Sequence, residues 1–171
     1  VSGDAYRFTH PLMQEAVYET LSFKQRQNWH TAIGDLFASD PSFQEKHLSI
    51  AAYHYLRGKN ERKASEFGRR AGDRARQHRE YAAATEFYQQ VLSLSKAPAV
   101  EKCQCAENLG DVWMIQGEYE SASKDYEQAV KLGSEEAAGK LAILKRDITR
   151  LSQGGFSDTL NHWAEGTRAW I

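Results

Sequence analysis

Few residues in this sequence combine the type and the spacing that chemistry needs. Cys103 and Cys105 stand two apart. On a helix that spacing sends them to different faces, badly placed to bond each other, and a lone C-x-C lacks the partners of a zinc site. His47 and His54 are seven apart and could share a helix face. No third ligand stands nearby, so packing is the plainer reading of both. Ser, His and Asp occur without a nucleophile elbow to organise them. No G-x-x-x-x-G-K-[ST] loop is present, so the chain is not expected to bind ATP by itself. Neither catalytic residue, metal nor cofactor is expected.

Two stretches could instead carry binding. Arg69-Arg70-Ala71-Gly72-Asp73-Arg74-Ala75-Arg76-Gln77-His78-Arg79 is locally basic and could dock an acidic partner or nucleic acid. Asp73, Glu66 and Glu80 dilute it, and the solvated face of an amphipathic helix is the plainer reading. Trp163, Trp170 and Ile171 could form an exposed apolar edge. Capping a last repeat or docking on a partner is expected of them before a membrane role.

The whole composition gives no reason to look for another class. The chain has 171 residues, 41% apolar and 26% charged, with 22 basic against 23 acidic residues. That length can bury a real core, and that balance calls for neither nucleic acid nor an anionic membrane. Three prolines favour long helices over many short strands. With two cysteines and no apolar run of about 18 residues, a reducing, cytoplasmic setting is expected. The opening Val1-Ser2-Gly3-Asp4 reads as a cut through a longer protein.

The elements follow from periodicity. Ala5 to Thr9 alternates and could be a short strand. Pro11 suits the first turn of a helix, with Leu12, Ala16, Val17, Thr20 and Leu21 on one face. A second helix carries Trp29, Ala32, Ile33, Leu36 and Phe37 as its inner stripe, stopped by Asp40-Pro41. Leu48, Ala51, Ala52, Tyr55 and Leu56 mark a third, closed by Gly58. Ala64, Phe67, Gly68, Ala71, Ala75 and His78 mark the next; Tyr81, Ala84, Phe87, Tyr88, Val91 and Leu92 the one after. Helices over about 99–116 and 118–131 follow. Ser134 is a natural N-cap for a helix carrying Ala138, Leu141, Ile148 and Leu151. Gly154-Gly155 ends it, before a short helix with Leu160, Trp163, Ala164, Thr167 and Ile171 on one side. Short connections favour antiparallel neighbours.

Glu80 to Leu94 repeats as Glu118 to Leu132, an offset of 38 residues, with Glu, Tyr, Ala, Tyr, Gln and Leu in common. The preceding helices agree too: Ala71-Gly72-Asp73 matches Leu109-Gly110-Asp111. The second copy reads Ala106-x₂-Leu109-Gly110-x₂-Trp113, then Gly117, Ala122-x₃-Tyr126 and Ala129. This resembles the tetratricopeptide pattern W-x₂-L-G-x₂-Y, A-x₃-F, P. Gly110, Ala122 and Ala129 would let two helices approach, and Leu109, Trp113 and Tyr126 would fill the space around them; Ala84 and Tyr88 take these roles in the first copy. Ala106 replaces the aromatic, and Ser134 stands where proline is usual. The plain alternative is a generic helical bundle.

The N-terminal phrase is more distinctive. Phe8, His10, Leu12, Glu15, Tyr18 and Leu21, then Arg26 and His30, resemble the F-x-H-x-L-x-x-E-x-x-Y-x-x-L and R-x-x-x-H phrases that close the ATPase module of signal-transducing (STAND-type) ATPases with helical repeats. Maltose-regulator-type activators and large class III adenylate cyclases belong to that group. His54 to Gly58 resembles its first repeat helix, and Arg70 to Ala75 part of its second. The resemblance spans roughly residues 5 to 132. It implies a winged-helix-like segment over 1–40 followed directly by tetratricopeptide-like repeats; with the periodicity, the repeats are expected over 44–153 and a capping or docking helix over 156–171. It also implies a phosphate-contacting sensor role for His10 in a full-length protein. A histidine beside a helix N-terminus suits that task, though local capping is the plainer reading.

The expectation is therefore an all-α stack of antiparallel helix pairs wound as a right-handed superhelix, working as a regulatory scaffold and not as an enzyme. The first helix of each pair would line a concave face. Arg69, Asp73 and Arg76 from one copy, with Glu107, Asp111, Met114 and Ile115 from the next, would meet a protein, a peptide or missing domains of the parent chain. Runner-up readings are a small helical ligand-binding domain or enzyme, which would show a closed polar pocket, and a self-associating homodimer module using the terminal helix.

Overall fold

The computed structural model describes residues 10–39 and 47–152. Among these the protein is all-α: α1 (Pro11–Thr20), α2 (Phe23–Ser39), α3 (Leu48–Arg57), α4 (Glu61–Gln77), α5 (Tyr81–Ser93), α6 (Ala99–Gln116), α7 (Tyr119–Lys131) and α8 (Glu135–Ser152). The strand expected over 5–9 and the helix expected over 157–171 lie outside the described residues. No helix among the described residues is long and apolar enough to cross a membrane.

Two compact units divide the chain, Val1–Asn60 and Glu61–Ile171. In the first, α2 packs on α3. In the second, α4 packs on α5, α5 on α6, α6 on α7 and α7 on α8, with α4 also touching α6. Helices that follow one another across short turns become antiparallel neighbours. The pairing of α2 with α3 runs through the sequence boundary expected near 40–44.

The reason the pairs fit is a device that recurs at fixed spacing. Gly34, Gly72 and Gly110 are each 38 residues apart, and each is followed by Asp. A Cβ on Gly72 would stand 2.5 Å from Tyr88 Cε1, and one on Gly110 2.5 Å from Tyr126 Cε1. On Gly34 it would stand 2.8 Å from Tyr55 Cε1. The missing side chain lets the ring of the second helix lie against the backbone of the first. The phenol then reaches the next residue: Tyr55 donates to Asp35 at 2.9 Å, Tyr88 to Asp73 at 2.8 Å and Tyr126 to Asp111 at 2.8 Å. Each buried hydroxyl thereby finds an acceptor, as burial demands. The first copy escaped the sequence comparison because its tyrosine lies five residues further along: Tyr55 follows Gly34 by 21, whereas Tyr88 and Tyr126 follow their glycines by 16.

The core of the second unit has two adjoining parts. Ala75, Ala84, Tyr88, Val91, Cys105, Leu109 and Val112 form one; Ala106, Ala122, Tyr126, Ala129, Ala137 and Leu144 form the other. Trp113 packs against both and donates from Nε1 to Asp125 Oδ2 at 2.8 Å. The turns inside the repeats match as well. Glu80 N–H donates to Ala75 and Glu118 N–H to Trp113, each at 2.9 Å. Arg79 and Gly117, 38 residues apart, both hold positive φ, 62° and 80°.

Several helix faces differ from the periodicity. In α2, Trp29, Ala32 and Leu36 are exposed, Ile33 and Phe37 are half-buried as expected, and His30 and Gly34 join the packed side, which is shifted towards them. Close approach at Gly34 wins over the larger apolar residues. The stripe expected for α1 is solvated, and α1 buries no side chain. His78 lies beyond the end of α4 and is exposed. In α8 the buried positions are Ala137, Leu144 and Asp147, whereas Ala138 and Ile148 are exposed. Ser134 fixes that register: its Oγ accepts from Ala137 N–H at 2.9 Å.

Candidate functional site

The second unit carries an open polar groove of about 610 Å³ between α4, α6 and α8. It is lined by Arg69 and Arg76 from α4, Gln104, Glu107, Asn108 and Asp111 from α6, and Glu136 and Lys140 from α8. Arg69 and Arg76 are seven apart, as are Gln104 and Asp111, two helical turns that repeat one face. The 38-residue period brings Arg69–Asp73 and Glu107–Asp111 to matching positions of adjacent repeats.

Of the residues singled out for a concave face, Arg69, Arg76, Glu107 and Asp111 line this groove. Asp73 does not. Its Oδ1 accepts from Tyr88 and from Asn108 Nδ2 at 2.8 Å each, and its Oδ2 pairs with Arg69 at 2.6 Å. It clasps Tyr88 of its own helix pair and Asn108 of the next. Met114 packs against the core part containing Ala106 and Tyr126, and Ile115 is exposed outside the groove lining. Both residues sit at the end of α6, past the reach of α8's lysine. Gln104, Asn108, Glu136 and Lys140 were not singled out. Lys140 comes from a helix outside the two matched copies, so the self-match did not point to it.

Most lining charges are committed. Lys140 Nζ donates to Glu107 at 2.9 Å, to Asp111 Oδ1 at 3.0 Å and to Glu136 at 3.1 Å. Burial alone would lower its pKa; the bonds to Glu107 and Asp111 outweigh that and raise it. Glu107 accepts from Ser134 Oγ at 2.7 Å. Burial pushes Glu107 up, but Lys140 and Ser134 together hold it below its usual value. Burial raises Asp111, and its cationic neighbours offset this only in part. Arg69 bonds Glu101 at 2.7 Å as well as Asp73.

Arg76 differs. Its Nη1 reaches Asp111 Oδ2 only at 3.4 Å, and that carboxylate already accepts from Tyr126 and Lys140. Arg76 Nε is buried without a hydrogen-bond partner. A guanidinium presents five donors in a planar fork suited to a carboxylate. Arg76 therefore brings donor capacity to the groove that its protein neighbours leave unspent.

The remaining candidates lie elsewhere. His10 is exposed at the N-cap of α1, where its carbonyl accepts from Met13 N–H at 3.0 Å and its side chain makes no capping bond. Cys105 is buried in the first core part, and Cys103 Sγ lies 3.6 Å from the Ala129 carbonyl. Burial raises both thiols, Cys105 far above its ordinary range, which disfavours the thiolate that nucleophilic or metal chemistry needs. No group of three or more His, Cys, Asp or Glu side chains among the described residues could hold a metal ion. His47 and His54 do not converge: His47 packs on Phe37, and His54 faces His30. No family model and no curated protein matches this sequence.

Proposed function

We propose that the chain is a non-catalytic interaction scaffold whose α4–α6–α8 groove holds a carboxylate-bearing segment of a partner protein, or of a neighbouring domain in a longer parent chain. The observation that carries this reading is Arg76, half in the groove, with Nε unpartnered and Nη1 only weakly engaged. The groove's own acids are taken up by Lys140, Ser134 and Tyr126, so an incoming carboxylate would meet the Arg76 guanidinium where it lines the groove, held to Asp111 only at 3.4 Å. The open polar groove favours a peptide over a small substrate, which would ask for an enclosed, largely apolar pocket. A regulatory place after an ATPase or cyclase module belongs to the same proposal. It rests on the Tyr18–Arg26–His30 phrase preceding the repeats.

The test is a display library of short peptides against the full chain. Enriched sequences should carry Asp, Glu or a free C-terminus, and Arg76→Ala should weaken them by roughly tenfold or more, as loss of a charge-assisted pair does. Enrichment of basic or purely apolar peptides, or binding indifferent to Arg76→Ala, would sink the reading.

A further inference from the structure

The N-terminal unit holds a histidine pair that the groove does not use. His30 on α2 and His54 on α3 meet Nδ1 to Nδ1 at 2.9 Å. Two imidazole nitrogens at that distance need one hydrogen between them, one ring donating and the other accepting. Their ring centroids lie 5.1 Å apart, close to the nitrogen separation plus one ring radius at each end. The nitrogens thus face head-on. A metal ion would need both lone pairs to converge on a third point, and these do not.

The other side of His30 is also engaged. Its Nε2 lies 3.0 Å from Tyr18 Oη on α1. His30 is therefore the middle of a chain from α1 through α2 to α3. The chain has two self-consistent directions. Tyr18 donates to His30 Nε2 while His30 Nδ1 donates to His54; or His54 Nδ1 donates to His30 while His30 Nε2 donates to Tyr18. One added proton at His54 is accommodated by the second direction. A second proton would place N–H against N–H between two cations.

The surroundings do not help a second charge. Tyr18 faces the pair from α1, with Arg26 of α2 over its ring at 4.7 Å. From α3, Tyr53 stands edge-on to both imidazoles, and the charge of Arg57 acts on His30. Phe37 of α2 stacks on His54, and His47 packs on Phe37. The charged groups among these are cationic. Burial lowers both histidines; Arg57 lowers His30 further, and His30 lowers His54 further. Because the folded values lie below the usual 6.5, the stabilisation is complete above that pH and is lost as pH falls through the folded values.

The clasp also reaches α1. That helix buries no side chain; Tyr18 bonds His30, and Arg26 of α2 lies over the Tyr18 ring and bonds the carbonyls of Glu19 and Leu21 at 2.8 and 3.0 Å. We propose that the His30–His54 contact is a proton-controlled clasp of α2 on α3, which tolerates one added proton and opens on the second.

The experiment is a ring-¹⁵N titration of the full chain by NMR, paired with hydrogen exchange of α3 amides. The clasp predicts two macroscopic steps more than about one pH unit apart, with His30 and His54 both reporting each step. Exchange protection in α3 should fall by up to about tenfold per pH unit as pH drops from about 6.5 towards the lower step, and level off below it. His54→Asn keeps a hydrogen-bonding group that does not titrate; it should leave one step at His30 and remove the low-pH loss of protection. Independent single titrations near 6.5 in the wild-type chain, or α3 protection unchanged through both steps, would overturn the proposal. Should His54→Asn not fold, the wild-type titration decides alone.

Discussion

Tyr126 and Gly110 show how single residues set the spacing of the pairs. The ring lies where a Cβ on Gly110 would have to be, and Asp111 anchors the hydroxyl. Gly110→Ala should therefore destabilise the second unit by about 1–3 kcal/mol through overpacking. Tyr126→Phe should cost about 1–2 kcal/mol, because Asp111 keeps Lys140 but loses a buried donor. Chemical denaturation of the full chain measures both. Two of the positive-φ turn positions make contrasting cases. Gly117→Ala should lose about 1 kcal/mol, and Arg79→Gly should cost less than a helix-interior glycine or even stabilise, since its backbone is already left-handed. These residues were legible in part. The 38-residue self-match exposed Gly72–Asp73 and Gly110–Asp111 but gave Asp73 a surface role. Only the hydrogen bonds from Tyr88 and Asn108 reveal it as an internal clasp.

Helix α8 is the element that completes the groove. Ser134 caps it and also bonds Glu107, and Lys140 ties it to α6. Ser134→Ala should cost about 1 kcal/mol as a lost cap, a little more for the lost Glu107 bond. Lys140→Met should cost about 3 kcal/mol, because it strands Glu107 and part of Asp111 in a poorly hydrated site. The Glu107 contribution has a pH signature. Its folded value is lowered, so its stabilisation is present above the usual 4.5 and is lost as pH falls through the lowered value. Thermal melts across that range, wild type against Glu107→Gln, should converge at the acid end. Helix existence was readable from apolar spacing, capping residues and Pro11. Helix facing was less so. In α2 the small Gly34 at the contact displaced larger residues that periodicity favours, and in α8 the buried face falls on Ala137 and Leu144 instead of Ala138 and Ile148. Periodicity weighs hydrophobicity, whereas close backbone approach weighs size.

At the scale of the whole molecule, the repeat explains why a binding groove arises where it does. The same helix position in successive repeats turns its side chains to one face, so Arg69 and Arg76 come opposite Glu107 and Asp111. The sequence held that juxtaposition. It did not hold the arrival of Lys140, which neutralises the acids and leaves Arg76 as the group with donors to spare. The central claim is that a partner carboxylate takes those donors. The most direct measurement follows the Arg76 Nε–H resonance by NMR while an Asp/Glu-bearing peptide is titrated into the full chain. The account predicts a saturable shift of that resonance, with neighbouring shifts at Gln104, Asn108 and Lys140, weakening as salt is raised. A shift pattern confined to the exposed face of Trp29 and Leu36, with Arg76 unmoved, would contradict it.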